Sequence, residues 1–210
     1  MATAKYKAKW LPKTEVKDAL FENETFSGID FNMPIFQGTT FKNCLFEKSN
    51  LTGPRIYSCE FEGCKFVGMN LSGFMFGANN DKFTDCVFDR CNLKGGSFFA
   101  PEFVRTSFLD CKLSGADLNG SYFEDCRVTG KISDLTFRSK YRSDLAKPKK
   151  KNLYVSIDFS EAVFGDFVTF VDCDLSRSIP PKGRTFDELL HLLAPEIFGK
   201  DQLSTGDKDF

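Results

Sequence analysis

Residues 21–80 read FENET FSGID FNMPI FQGTT FKNCL FEKSN LTGPR IYSCE FEGCK FVGMN LSGFM FGANN. Every block of five begins with Phe, Leu or Ile. Two extra residues, Asp81 and Lys82, shift the frame, and the spacing then resumes at Phe83 and continues to Val128. All 22 lead positions are apolar and 15 of them are Phe, so a five-residue repeat organises this part of the chain.

Neither a helix nor a flat strand can use this period. Five residues advance about 500° around an α-helix, so successive lead residues would leave any single face. An odd period also changes the face of a strand at each step. A chain that turns a corner every five residues can use it, because four quintets then close a square coil. Stacked coils would place residues 20 apart directly over each other, at about 4.8 Å.

The longer spacing is visible in the lead residues themselves. One predicted column is Phe at every level and forms the predicted structural core, namely Phe21, Phe41, Phe61, Phe83, Phe103 and Phe123. The sequence therefore predicts an all-β solenoid whose lead residues point inward.

All eight cysteines occupy one phase of this register, two residues before a lead residue. Side chains at this phase are often small, so the phase is a second inward position. Stacked cysteines with parallel side chains suit neither a disulfide nor a metal site, and buried thiols behave as small hydrophobes. We expect eight reduced cysteines in a reducing cytoplasm.

The repeat resembles the pentapeptide-repeat family, whose pattern is A(D/N)Lxx with Phe variants. Leu113–Leu118, LSGADL, is a close match, and the resemblance covers about 20–128 and, more loosely, 157–175. It implies a right-handed quadrilateral β-helix of five-residue repeats, with the lead residue and the residue two before it inside and the other three positions in solvent.

The remaining segments divide the chain further. Residues 1–18 lack the repeat and are predicted to cap the raw end of the array through Tyr6, Trp10 and Leu11. The repeat β-helix occupies 19–128. A basic loop insertion is predicted at 129–156, a final β-helix coil at 157–183, a C-terminal α-helix at 184–199 and a flexible tail at 200–210.

The predicted loop insertion has eight Lys or Arg and only two Asp. It can be read as an arm that touches an acidic partner or a nucleic-acid backbone, or as a solvated excursion. The candidate partner-binding residues are Lys131, Arg138, Lys140, Arg142, Lys147, Lys149, Lys150 and Lys151.

A capping box, Thr185 to Glu188, predicts the start of the C-terminal helix. One apolar face follows at helical spacing, made of Phe186, Leu189, Leu190, Leu193 and Ile197. This face either caps the last coil only, or caps it and also forms a homodimer contact.

Composition excludes several classes of protein. The chain has 28 Lys and Arg against 29 Asp and Glu, which is not the balance of a protein that coats nucleic acid. No apolar run approaches the length of a membrane helix, and no secretory signal is visible, so we expect a cytoplasmic protein without membrane contact. His191 is the only histidine, and no nucleotide-binding or hydrolase motif occurs. We therefore expect no enzyme activity, no cofactor, no metal and no small-molecule substrate.

One leading function and two alternatives follow from these observations. The resemblance to pentapeptide proteins of this size implies a dimeric rod that protects or modulates a type II topoisomerase, DNA gyrase or topoisomerase IV, through acidic faces that mimic DNA, and so confers resistance to an antibiotic or immunity to a toxin. Residues 21–128 carry 14 acidic and 10 basic side chains, a modest excess for such a mimic. The alternatives are nucleic-acid binding through the basic 129–156 loop and a structural scaffold for an unidentified protein partner.

Overall fold

The computed structural model describes residues 6–76, 81–138 and 155–193, the last three as backbone only. They form a parallel β-solenoid with one short helix near its C-terminal end, so the predicted fold class is confirmed. The helix α1 spans Phe186–Leu193. The strands are β1 (Glu15–Lys17), β2 (Leu20–Glu22), β3 (Thr25–Ser27), β4 (Ile35–Gln37), β5 (Thr40–Lys42), β6 (Leu45–Glu47), β7 (Arg55–Tyr57), β8 (Glu60–Glu62), β9 (Lys65–Val67), β10 (Met75–Phe76), β11 (Lys82–Thr84), β12 (Val87–Asp89), β13 (Ser97–Phe98), β14 (Glu102–Val104), β15 (Ser107–Leu109), β16 (Ala116–Asn119), β17 (Tyr122–Val128), β18 (Gly130–Ile132), β19 (Leu135–Arg138), β20 (Val155–Asp158), β21 (Ala162–Phe164) and β22 (Val168–Val171).

The rod has four faces, which we number 1 to 4 after the lead residues Phe21, Phe26, Phe31 and Phe36 of the first coil. Faces 1 and 2 belong to one twelve-stranded sheet, because the long strand β17 turns the corner between them. Face 4 is an eight-stranded sheet that runs from β1 to β22. Coils 1 to 7 begin, in order, at Phe21, Phe41, Phe61, Phe83, Phe103, Phe123 and Val155.

Stacked phenylalanine rings fill the interior. Along the column that begins at Phe21 and ends at Phe123, consecutive ring centroids lie 5.1, 4.8, 4.6, 5.2 and 5.3 Å apart. This spacing follows from the distance between paired strands, which fixes each ring over the one before it. Aromatic pairs in such geometry contribute about 0.5–1.5 kcal/mol each beyond their burial.

The second inward position has a hydrogen-bonding role as well as a steric one. Its hydroxyl or thiol donates, at 3.2–3.4 Å, to the carbonyl oxygen of a lead residue in the preceding coil. The pairs are Thr39 to Val16, Cys44 to Phe21, Ser49 to Phe26, Cys64 to Phe41, Cys86 to Phe61, Cys91 to Phe66, Thr106 to Phe83, Cys111 to Phe88 and Cys126 to Phe103.

All eight cysteines are free thiols in the structure, and all but Cys173 are buried. Burial raises the pKa of Cys59 to about 11 and that of Cys126 to about 12. Both thiols are therefore protonated near neutral pH, as a hydrogen-bond donor must be.

The frameshift lies before Asp81 rather than at Asp81 and Lys82. Asp81 is fully buried at the second inward position, and its carboxylate accepts a hydrogen bond from the Cys59 amide at 2.9 Å. Lys82 pairs in register with Glu60 below and Glu102 above. The two extra residues consequently fall within 77–80, outside the described residues. The prediction that Asp81 and Lys82 are the two extra residues was wrong, because both occupy regular positions of the quintet that leads to Phe83.

The strands also continue past the predicted boundary at residue 128. Residues 130–132 and 135–138 are strands β18 and β19, so coil 6 is complete on all four faces. The reason is that Ile132 and Phe137 are inward lead residues, and the Phe137 ring stacks on Phe170 of coil 7 at 4.8 Å. Of the predicted loop insertion, residues 139–154 lie outside the described residues.

The N-terminal cap uses the two predicted aromatic residues and not the predicted leucine. Tyr6 stacks on Phe26 with ring centroids 4.7 Å apart, and Trp10 meets the Phe31 ring edge-on at 4.8 Å. Leu11 points into solvent and is 80% exposed, so its predicted role in the cap is wrong. The rings of Tyr6 and Trp10 therefore cover the apolar end of coil 1.

The C-terminal helix begins at the predicted capping box. The Thr185 side chain accepts from the Glu188 amide at 3.2 Å, and the Glu188 carboxylate accepts from the Thr185 amide at 3.0 Å. Phe186 then packs against the rings of Phe159 and Phe170, at 6.2 and 6.1 Å between centroids. The first turn of α1 therefore lies over the last coil.

Candidate interaction surfaces

Face 1 carries an excess of carboxylates along the rod. The strands and corners of this face present seven carboxylates and three cations, namely Glu22, Glu60, Glu62, Asp85, Glu102, Glu124 and Asp125, with Lys42, Lys82 and Arg105. The parallel strands hold these side chains at the spacing of one coil. The face is thus a rigid surface with a net excess of four negative charges.

Lysines interrupt the acidic rows of face 1. Lys42 lies in register with Glu62, and its ammonium nitrogen is 3.3 Å from the Glu62 carboxylate. Lys82 occupies the equivalent place between Glu60 and Glu102. Alternation of charge along the stack reduces the repulsion between carboxylates one coil apart. It also lowers the negative potential that the face presents to a partner.

The strongest ion pair of face 1 lies at its corner. The Arg105 guanidinium donates two hydrogen bonds to the Asp85 carboxylate, at 2.7 and 2.8 Å. These hydrogen bonds lower the pKa of Asp85 below its ordinary value, so the pair stays ionised in moderately acidic solution.

Face 3 carries only two charged side chains over coils 1 to 4, Asp30 at one end and Lys94 at the other. A ladder of amides runs along it: Asn50 donates to Asp30, Asn70 to Asn50 and Asn92 to Asn70, at 3.1–3.5 Å. The backbone of the same residues forms a row of parallel bridges that extends from Lys9 to Lys112. The ladder ends at coil 5, where lysines replace the asparagines.

A groove of about 440 Å³ opens on face 3 next to these lysines. Its lining includes three lysines from consecutive coils, two serines and one aspartate: Lys94, Lys112, Lys131, Ser114, Ser133 and Asp110. Within the described residues none of the three ammonium groups forms an ion pair. The groove is consequently the clearest local concentration of uncompensated positive charge on the described faces.

The structure separates the predicted partner-binding residues. Lys131 lines the groove on face 3. Arg138 lies on face 4, where its guanidinium donates to the Asp117 carboxylate at 3.0 Å and its side chain is only 16% exposed. Arg138 is thus engaged within the rod. The other six residues lie outside the described ones, and these are Lys140, Arg142, Lys147, Lys149, Lys150 and Lys151.

The predicted apolar helix face is partly described. Phe186 is half-buried against the last coil, and Leu189 and Leu190 are half-buried as well. Leu193 is the last residue of the helix, and Ile197 lies outside the described residues. A second copy of the chain could contact the part of Leu189 and Leu190 that remains accessible.

The interior offers little room for a ligand. A void of about 10 Å³ lies among the lead residues where coils 5 and 6 meet, and its walls are entirely apolar. Among the described side chains, no group of three or more His, Cys, Asp or Glu is placed to hold a metal. In the same part of the chain, no helix is long and apolar enough to cross a membrane.

Lys94 and Lys112 were missed as candidate residues because each stands alone in its quintet. One signal was available. Lys112 and Lys131 each directly precede a lead residue of the same column, Leu113 and Ile132, so the register places them one coil apart.

The protein is a solenoid built from five-residue repeats, and its charged and polar side chains lie mainly on the outer faces. A sequence profile of the pentapeptide repeats matches residues 26–73, with eight copies. The resemblance to the pentapeptide-repeat family is thereby confirmed, and the described coils continue the same geometry on both sides of the matched segment.

Comparisons with curated proteins gave no significant match. Among solved structures, one similar chain is a trypsin-treated single-site variant of QnrB1, a plasmid-mediated fluoroquinolone resistance protein, with 13% identity, a TM-score of 0.41 and coverage of 89% of this chain and 90% of that one. Full-length QnrB1 shows 18% identity and a TM-score of 0.28, with coverage of 80% and 87%. HetL, a pentapeptide repeat protein involved in heterocyst differentiation regulation in the cyanobacterium Nostoc sp. strain PCC 7120, shows 13% identity and a TM-score of 0.39, with coverage of 86% and 94%.

Proposed function

We propose that this protein is a non-enzymatic rod that binds another protein through face 1. The partner that we propose is a type II topoisomerase, DNA gyrase or topoisomerase IV, with drug resistance or toxin immunity as the outcome. The single observation that carries the proposal is the rigid row of surplus carboxylates on face 1, which is long enough to meet a basic, DNA-binding channel. A filled interior also favours function on the surface.

The charge density of face 1 sets the character of the proposed contact. Duplex DNA carries one negative charge per about 3.4 Å of axis on each strand. Face 1 has seven carboxylates over six coils, and its three cations offset part of that charge. A partner that binds it gains less from charge than it gains from DNA, so shape and specific contacts must supply part of the affinity.

A supercoiling assay tests this proposal. Purified protein is added to gyrase and relaxed plasmid, with and without a quinolone, over a series of salt concentrations. We expect either inhibition of supercoiling or rescue from drug-induced cleavage, with an effect that declines as salt rises.

Two matched double variants locate the contact. Glu60→Gln with Glu102→Gln removes two charges from face 1, and the inhibitory or protective concentration should rise about fivefold or more. Glu47→Gln with Asp89→Asn makes the same charge change on face 2 and should leave the assay unchanged. No effect of the unaltered protein at micromolar concentration, or equal loss in both variants, would contradict the proposal.

Nucleic-acid binding is the alternative function. The strands on either side of the basic segment support a test of this function. β19 ends on face 4 and β20 begins on the adjacent face 1, so residues 139–154 connect two neighbouring faces of the rod. Fluorescence anisotropy with a labelled oligonucleotide, repeated at several salt concentrations, measures this activity. Replacing Lys147, Lys149, Lys150 and Lys151 with Gln should abolish any binding that this segment causes.

A further inference from the structure

The row of backbone hydrogen bonds along face 3 is interrupted between coils 5 and 6, where the Gly115 amide still donates to the Asp134 carbonyl oxygen at the corner. In the preceding coil, the Leu93 amide donates to the Lys112 carbonyl oxygen at 2.8 Å. The corresponding bond from the Leu113 amide to the Lys131 carbonyl oxygen is not formed. Within the described part of the chain, the Leu113 amide has no hydrogen-bond partner, although buried or semi-buried amides are normally paired.

A shortened repeat causes this break. Val128 and Ile132 are successive inward residues separated by four positions instead of five. The Gly130 backbone adopts a φ of +78°, and a Cβ there would lie 3.1 Å from the Asp110 Cα, so this tight passage favours glycine. Strand β18 then pairs only with β21 of the next coil. The two coils separate locally and open the groove on face 3.

The groove combines several donors suited to an oxyanion. Lys94, Lys112 and Lys131 line it together with Ser114 and Ser133, so three ammonium-bearing and two hydroxyl-bearing side chains border the same groove. The unpaired Leu113 amide lies at the same break. Lysine ammonium groups, hydroxyls and backbone amides are the groups with which proteins bind phosphate.

We propose that this groove binds a compact phosphate-bearing ligand. Three ammonium groups and the single carboxylate of Asp110 give the lining a net charge of +2. A phosphate monoester carries about −1.5 to −2 at neutral pH, so one such group would neutralise the site. The site lies on face 3 and is independent of the protein contact proposed for face 1.

The surroundings favour a compact ligand over a nucleic-acid strand. Carboxylates stand at both corners of face 3 beside the groove, Asp110 on one side and Asp134 on the other. Along the rod, the cluster ends at the neutral Asn92 on one side and at the exposed Val163 on the other. A polyanion lying across the face would meet carboxylates, and one lying along it would find no further cation in the row until Lys9 at its far end, which pairs with Asp30.

Titration of the full chain with sodium pyrophosphate tests the site. Backbone amide NMR spectra are recorded at low salt, and we expect saturable shifts that include the Leu113 and Lys131 amides. In the double variant Lys112→Gln with Lys131→Gln, the dissociation constant should rise about tenfold or more, because two charged donors are lost. The single variants Lys112→Gln and Lys131→Gln are compared with Lys65→Gln as a one-charge control, since Lys65 also precedes a lead residue and forms no ion pair among the described residues. Lys65→Gln should change the constant less than about twofold.

Three results would overturn the proposal. The first is no saturable shift of Leu113 or Lys131 at about 10 mM pyrophosphate, because it would mean that the groove binds no such anion. The second is a loss in the Lys65→Gln control as large as in Lys112→Gln or Lys131→Gln alone, because it would indicate general charge attraction only. The third is a twelve-nucleotide single strand that binds much more tightly than pyrophosphate and depends on Lys112 and Lys131, because it would make the ligand a nucleic acid. ADP and inorganic phosphate, titrated in the same way, distinguish a nucleotide from the free anion.

Discussion

Phe103 lies at the centre of the stacked column, and its replacement by alanine would remove a ring from a fully enclosed position. The side chain has no solvent exposure, and its ring stacks between Phe83 and Phe123 at 5.2 and 5.3 Å. The edge of Phe108 approaches it at 5.3 Å. Paired strands above and below hold the backbone at fixed spacing, so the neighbouring coils cannot close over the gap.

The expected cost follows from this rigidity. Substitution of a buried Phe by Ala destabilises proteins by about 3–5 kcal/mol, and the upper part of that range applies where the surroundings cannot collapse. We therefore expect the Phe103→Ala variant to lose about 4–5 kcal/mol in the free energy of unfolding. Phe103→Leu should lose only about 1–2 kcal/mol, because Leu fills lead positions elsewhere in the coils.

Urea unfolding followed by circular dichroism measures these differences. Phe21→Ala is the matched control, because Phe21 begins the same column but is only half-buried and stacks on one ring of that column. It should cost about 2 kcal/mol. Equal destabilisation by Phe21→Ala and Phe103→Ala would refute the reasoning, since a continuous stack requires the enclosed ring to contribute more.

Three further predictions concern ionisation, thiol access and assembly. Asp85 has a lowered pKa, so its ion pair stabilises the fold above the ordinary carboxyl pKa, and this contribution disappears as the pH falls through the lowered value. The Arg105→Gln variant should therefore show a higher Asp85 pKa in an NMR titration. An unchanged Asp85 pKa would contradict the ion pair. Cys173, the one incompletely buried cysteine, should react first with a thiol reagent at about pH 8, as mass spectrometry of the labelled protein would show, and simultaneous labelling of all thiols would contradict the stacked interior. If α1 forms a homodimer contact, Leu189→Asp with Leu190→Asp should convert a dimer to a monomer in light scattering, whereas an unaltered protein that is already monomeric excludes that contact.

The five-residue period predicted the fold because every coil repeats it. Each lead residue is large and apolar, and each coil repeats the same environment, so a single pattern fixes both the corners and the stacking. The thiols and hydroxyls at the second inward position were predicted as small fillers. Their role as donors to the preceding coil depends on backbone carbonyls that only the stacked structure brings into reach.

Local exceptions to the period were harder to predict. Asp81 was counted as an inserted residue at the frameshift, whereas the structure buries its carboxylate, which accepts a hydrogen bond from the Cys59 amide. Residues 129–138 were assigned to the basic loop insertion because the five-residue register stops at Val128 and the stretch that follows is rich in Lys and Arg. Ile132 nevertheless lies in the interior, so the burial of this apolar side chain outweighs the cost of an irregular spacing between lead residues.

The candidate surfaces were predicted less completely than the fold. Counting charges along the chain identified the basic stretch after residue 128, but the structure assigns Arg138 to an ion pair and Lys131 to a groove. Lys94 and Lys112 lie beside Lys131 only because their coils stack on one another. Surface chemistry in a solenoid therefore has to be read down the columns, across neighbouring coils, as well as along the sequence.

The shortened repeat at coil 6 also has a mechanical consequence. In a repeat array each coil is held only by its immediate neighbours, so the cooperativity of unfolding depends on the weakest junction. Between coils 5 and 6, faces 1, 2 and 4 remain paired as strands, while face 3 keeps only the backbone bond from the Gly115 amide to the Asp134 carbonyl oxygen, and the apolar void lies at the same level. Under tension, or during stepwise denaturation, the rod should part at this junction into two blocks, with coils 1 to 5 retaining their structure after the C-terminal coils have unravelled.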